Sequence, residues 1–195
     1  MILCAVALPV RLWVIESKNT DKVFTDGITY MQLGVNLKDG LGYVGGYKGE
    51  DGPYFFREPG YPALVAASLI GYEWLTGDEV GVPKNWRTGG NRLNPRMREV
   101  VQIVKRVQVV LDTGNVLLFF LTLLLVFRPS AAFALALCHA AYPPHTWACS
   151  SILREVLETS LVLGLGYVFA RFLLSNRLRW MIATGILLGL CILTL

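Results

Sequence analysis

The stretch VQVVLDTGNVLLFFLTLLLVF, Val107–Phe127, decides the fold class. At 1.5 Å per residue, a helix of this length crosses a hydrocarbon core of about 30 Å. Its only ionisable residue is Asp112. Downstream, Ala131–Tyr142 is a shorter apolar run that meets Pro143-Pro144, a pair that breaks or kinks a helix. Ile152–Leu174 and Trp180–Leu195 are two further apolar segments, and Met1–Ile15 is apolar apart from Arg11. The pattern predicts an all-α polytopic membrane protein of about five transmembrane helices, with interfacial helices in a long first exoplasmic loop. Its parts are a first transmembrane helix at residues 1–16, the exoplasmic loop at 17–106, and helices two to five at 107–195. Met1–Ile15 lacks a basic leader and a small-residue cleavage site, so it reads as the outer part of a membrane helix rather than a signal peptide. The uncapped apolar end at Leu195 reads as belonging to the N-terminal part of a longer protein.

Composition agrees. The chain is 54% hydrophobic and 16% charged, with a mean hydropathy of +0.49; a soluble domain carries about 25% charge. Between Ser17 and Val100 there are ten Lys/Arg and ten Asp/Glu, whereas from Val107 to Leu195 there are five arginines and three acids. The net charge of +4 is not gathered into a basic tract, so nucleic acid as a partner has little support and none is expected. Cys4, Cys138, Cys149 and Cys191 lie in or beside apolar segments with no Cys-x-x-Cys spacing, so they read as packing residues.

Short loops set the orientation. Arg128 separates the second and third spans, and Arg171, Arg177 and Arg179 surround the turn between the fourth and fifth. Both turns therefore face the cytoplasm, and residues 17–106 and 143–151 lie on the exoplasmic side. Trp13, Trp147 and Trp180 fall near span ends, as interfacial anchors do. Within the long loop, Ile28–Lys38 reads as a helix stopped at Asp39-Gly40, and Leu41–Pro53 as a Gly- and Tyr-rich loop. Pro62–Leu75 reads as an interfacial helix closed by Gly77, and Thr76–Met97 as a polar excursion with a Gly89-Gly90 turn.

The residues able to carry chemistry gather between Asp26 and Pro62. Asp26 suits two roles: a general base close to the membrane surface, or the cap of the helix beginning near Ile28. Arg57, held between restricted backbone at Pro59 and Pro62, suits a phosphate contact or a snorkelling position at the interface. Glu58 is a second acid or, preferentially, a surface partner for a lysine. Arg106, with Lys105, marks an interface. Asp112 and Glu155, with Arg154 and Glu158 close by, line a polar cavity or make interhelical pairs. His139 and His145 have no established ligand spacing, and the glycines at 40–49 do not match a phosphate loop.

Taken in order, these residues resemble the N-terminal part of the GT-C membrane glycosyltransferases, of the protein O-mannosyltransferase and aminoarabinose-transferase-like group. The shared elements are Asp26 and Tyr30 after the first span, Gly40-Leu41-Gly42-Tyr43, and Arg57-x-Pro59-Gly60-Tyr61-Pro62 leading into an apolar helix. Arg106-Val107-Gln108 with Leu111-Asp112 follows, and then Glu155 near the outer end of a later span. The resemblance implies an inverting transfer of a sugar from a polyprenyl-phosphate donor to a lipid, glycan or protein acceptor on the exoplasmic face of the membrane. It implies Asp26 as the catalytic base and Arg57 at the donor phosphate; Arg106 is a second candidate there, and Tyr30, Glu58, Asp112 and Glu155 are candidates for a polar cavity. Some relatives carry a metal-binding acid just before the basic residue; here Phe56 stands there, and Glu58 stands where proline is common. No metal is assigned, and a divalent ion would have only Glu58 and His145 as ligand candidates. The alternatives are a non-enzymatic polytopic membrane protein, such as a transporter subunit or assembly factor, and an inactive transferase fragment.

Overall fold

The computed structural model describes residues 2–17, 25–81 and 93–194. Among these, eight α-helices dominate: α1 (Ile2–Ser17), α2 (Thr25–Lys38), α3 (Gly60–Thr76), α4 (Pro95–Leu123), α5 (Pro129–Ala140), α6 (Pro143–Ala148), α7 (Glu155–Ser175) and α8 (Leu178–Ile192). Two strands of two residues each, β1 (Val44–Gly45) and β2 (Gly52–Pro53), pair antiparallel between α2 and α3. α4 and α7 are long and apolar enough to cross a membrane; α5 and α8 are apolar but shorter. Little of the apolar stretch of α7 is buried within the chain, unlike the core helix of a soluble protein.

Several boundaries differ from expectation for identifiable reasons. α4 begins at Pro95, well inside the segment read as loop. Proline suits a first helical turn, and Met97, Val100, Val101 and Val104 recur at helical spacing and are all buried. The charged residues between them hid that stripe. The Pro143-Pro144 pair ends α5 and also opens α6, where the missing N–H groups cost nothing. α2 starts at Thr25, so Asp26 lies inside its first turn rather than before it. The Gly77 stop holds: its φ is +76° and its N–H donates to the Glu73 carbonyl. The Gly89-Gly90 turn and Leu195 lie outside the described residues.

The chain divides into two compact units. The first comprises residues 2–14, 108–149 and 155–194. Leu3, Ala7, Val116, Ala136 and Ala140 form its packed centre, flanked by Phe119, Phe120 and Phe133. The alanines on α1 and α5 let helix backbones approach closely. One turn along α1 from Ala7, the fully buried Arg11 donates to Asp112 of α4 at 2.5 Å and to the carbonyls of Ala7 and Ala140 at 3.1 Å. Asn115, three residues beyond Asp112, donates toward its other oxygen and toward the Val156 carbonyl of α7, both at 3.4 Å. α7 and α8 form a helical hairpin whose turn uses Asn176 at φ +48°, a conformation asparagine tolerates. Trp180 sits between Arg171 and Arg179, whose guanidinium carbons lie 5.3 and 5.2 Å from its ring.

The second unit comprises residues 15–17, 25–81, 93–107 and 150–154. α2 packs against α3 through Gly34, where an added methyl would overlap the β-branched Val65 and crowd the Pro62 carbonyl. Met31, Leu33, Val65 and Leu69 fill the surrounding space. Asn36 reaches out of α2 to the carbonyls of Val44 and Gly46 at 2.8 and 2.9 Å, which fixes the β1–β2 hairpin to the helix. On its free side α3 leaves Ile70, Trp74 and Leu75 exposed.

Two outcomes test this packing. Gly34→Ala would gain about 1 kcal/mol in helix propensity, but overpacking against Val65 costs about 1–3 kcal/mol. The substitution should therefore lower the detergent-solubilised melting temperature, and an increase would show that the helices do not touch there. Arg11→Leu strands Asp112 in the interior and should cost about 3–5 kcal/mol, whereas Arg11→Leu with Asp112→Leu should recover most of that loss. A double variant as unstable as the single would contradict the pairing.

Candidate functional site

The second unit draws residues from three separate parts of the chain into one charged group. Asp26 is placed by the first turn of α2, and Tyr30 by the next turn of the same face. Arg57 and Glu58 come from the stretch just ahead of α3, and Arg154 from the residues just ahead of α7. Arg57 Nη2 donates to Asp26 Oδ1. Arg154 Nη1 donates to Glu58 Oε2 at 2.9 Å. The Arg57 guanidinium also lies 5.6 Å from the centre of the Tyr30 ring, which packs edge-on against Tyr61 at 5.0 Å. Tyr30 and Tyr61 are buried, whereas the four charged side chains are between 32% and 50% exposed and open to a ligand.

Local structure explains why Arg57 is held there. The Tyr43 hydroxyl donates to the Arg57 carbonyl at 2.8 Å, and Tyr43 is anchored because Asn36 holds the adjacent β1 strand. The path therefore runs from α2 through Asn36 and Tyr43 to Arg57, and back to α2 at Asp26. Burial, reinforced by the nearby Glu58 charge, pushes the Tyr43 phenol up to about 12. Burial also raises Tyr30; Glu58 and Asp26 add to the rise, while Arg154 and Arg57 oppose it. Both phenols stay protonated near neutral pH, and Tyr43 uses its proton to hold the Arg57 carbonyl.

Magnitudes separate this group from the Arg11–Asp112 pair. Ion pairs as exposed as these contribute only about 0–1 kcal/mol, so a competing anion can exchange with either carboxylate. A fully buried pair loses far more when broken, which makes Arg11–Asp112 a structural clamp.

The remaining sequence candidates fall elsewhere. Asp112 pairs between helices, one of the two roles considered for it. Glu155 is exposed on the first turn of α7. Arg106 borders an apolar groove of about 360 Å³ lined by Leu64, Ala67, Gly71, Leu75 and Ile103. Glu58 takes an arginine rather than a lysine as partner. His139 and His145 do meet, with ring centres 4.6 Å apart, but among the described residues no three His, Cys, Asp or Glu gather as a metal set. Glu58 is already engaged by Arg154, and its neighbour Phe56 is exposed and without a donor atom.

Sequence reasoning noted Arg154 only as the neighbour of Glu155 and Tyr43 only within the Gly40-Leu41-Gly42-Tyr43 run, gave neither a role in the site, and missed Asn36. Arg154 stands nearly a hundred residues from Glu58 and has no local signal beyond its position before an apolar helix. A scan against protein-family models and searches of curated proteins and solved structures found no match.

A second pair steadies the scaffold. Lys38 Nζ contacts Glu73 Oε1 at 2.8 Å and Asp39 at 3.2 Å, and the Val80 N–H also donates to Glu73. Burial would raise the Glu73 carboxyl, but the Lys38 and Val80 hydrogen bonds outweigh it and hold the group below its usual 4.5. Because the folded value is depressed, this stabilisation is complete above the unfolded value and is lost as pH falls through the folded one. The melting temperature should therefore fall less between pH 6 and pH 3 in Glu73→Gln than in the wild type. Identical pH dependence in the two proteins would remove Glu73 from the account.

Proposed function

We propose that this chain is a multi-pass membrane glycosyltransferase of the GT-C type. It uses a polyprenyl-phosphate-linked sugar and acts on the exoplasmic side. The observation that carries the reading is the pairing of Asp26 with Arg57. The residue expected to take the acceptor proton and the residue expected to hold the donor phosphate lie side by side, although they are far apart in sequence. The two long apolar helices support a membrane setting, and the placement of short-loop arginines supports the side.

The reaction is a single displacement. An acceptor hydroxyl oxygen attacks the anomeric carbon as the bond from that carbon to the phosphate oxygen breaks, and the electron pair leaves with the phosphate. The hydroxyl proton passes to the Asp26 carboxylate, a step worth about 10²–10⁴-fold in rate. Arg57 stabilises the charge growing on the departing phosphate. The sugar inverts because attack and departure occur on opposite faces.

One observation favours a non-enzymatic membrane protein instead: an ion pair buried among helices, as at Arg11 and Asp112, is also found along transport paths. Transfer assays separate the two. The purified protein in lipid nanodiscs, given a panel of polyprenyl-phosphate sugars, should transfer sugar. Asp26→Asn should lower the rate at least about 100-fold with insertion and melting intact. Retained transfer in Asp26→Asn would reject the base, and failure with every donor would favour the non-enzymatic reading.

A further inference from the structure

We infer that Arg154 is a second phosphate-binding residue, held by Glu58 until an anionic lipid phosphate displaces that carboxylate. The inference rests on the glycosyltransferase reading for its ligand class, but its geometry stands independently. The Arg57 guanidinium lies 5.6 Å from the centre of the Tyr30 ring, and the charges of Arg57, Glu58, Arg154 and Asp26 all act on the Tyr30 phenol, which gathers both guanidiniums about one side chain. Each arginine is engaged by a carboxylate, Arg57 by Asp26 and Arg154 by Glu58. Both arginines are about one-third exposed. The buried Tyr30 forms the floor beside them and feels the charge of all four groups.

Two arginines balanced by two carboxylates form a neutral, exchangeable set. The phosphate of a lipid-linked sugar donor is a diester with one negative charge and two non-bridging oxygens, one for each planar fork, and the lipid monoester that leaves after transfer presents a third acceptor oxygen. Its arrival gives both arginines one shared charged acceptor in place of two separate carboxylates. Glu58 is released toward solvent, and Asp26 is freed from Arg57 to face the acceptor hydroxyl. Donor binding and exposure of the base then become one event, and the base is occupied whenever no donor is present. Glu58 competes with the phosphate, which explains why an acid adjoins a phosphate-binding arginine.

The experiment measures binding of fluorescent farnesyl phosphate to the protein in nanodiscs, with farnesol as the uncharged control and inorganic phosphate as competitor. Glu58→Gln removes the competitor and should tighten farnesyl phosphate binding several-fold, while Arg154→Ala should weaken it about tenfold. Farnesol binding should be unchanged in both. Because Glu58→Gln keeps Arg154 in place, it remains informative if Arg154→Ala fails to fold. Unchanged binding in Arg154→Ala, or weaker binding in Glu58→Gln, would make the pair a structural brace and overturn the inference. Inorganic phosphate should compete at least about tenfold less well than farnesyl phosphate; equal competition would overturn the lipid assignment. Binding is read without catalysis. Normal sugar transfer with Arg154-independent binding sinks this inference alone, and Arg154-dependent binding without any transfer sinks the enzymatic reading alone.

Discussion

The contact between Arg57 and Asp26 is the constraint on which the site depends. It joins the first turn of α2 to the stretch ahead of α3. It holds because Asn36 fixes the glycine hairpin, Tyr43 fixes the Arg57 backbone, and Gly34 lets α3 lie directly on α2. None of these supports is itself charged. A neutral scaffold positions the two charges, and their own attraction, screened by water, contributes little to stability. Such an arrangement suits a site that must exchange one anion for another.

The apolar unit uses the opposite strategy. Arg11 and Asp112 are fully buried, and further hydrogen bonds from Arg11 to the Ala7 and Ala140 carbonyls and from Asn115 to Asp112 offset their desolvation. Polar groups surrounded by apolar helices have no water to turn to, so each partner is difficult to replace. This pair fixes which faces of α1, α4 and α5 meet, a specificity that alanines and leucines alone would not impose. The uncovered apolar surfaces of α7 and α8 carry no such marks.

Much of the secondary structure was legible because its signals are local. Gly77 and the proline pair end helices through their own backbone chemistry, and the apolar runs are plain from composition. The start of α4 was not legible, because its buried stripe at Met97, Val100, Val101 and Val104 is interleaved with charges that dominate a window average. Of the site, Asp26, Tyr30, Arg57 and Glu58 could be chosen from the resemblance of residues 26–62 to a family pattern, since spacing alone left Asp26 open to a cap and Arg57 to an interfacial position. Arg154 could not, since a long-range ion pair leaves no periodic trace and only the fold places it on Glu58. Spacing likewise left Asp112 open between a cavity and a helix pair, and the choice required its partner, Arg11.

The most direct measurement of the central claim is the stereochemistry of transfer. The protein in nanodiscs would be given a polyprenyl-phosphate sugar of known anomeric configuration, and the product's anomeric proton coupling read by NMR. A single displacement with Asp26 as base predicts a product of inverted configuration. Retained configuration, which needs a covalent intermediate that this site is not proposed to form, would contradict the account.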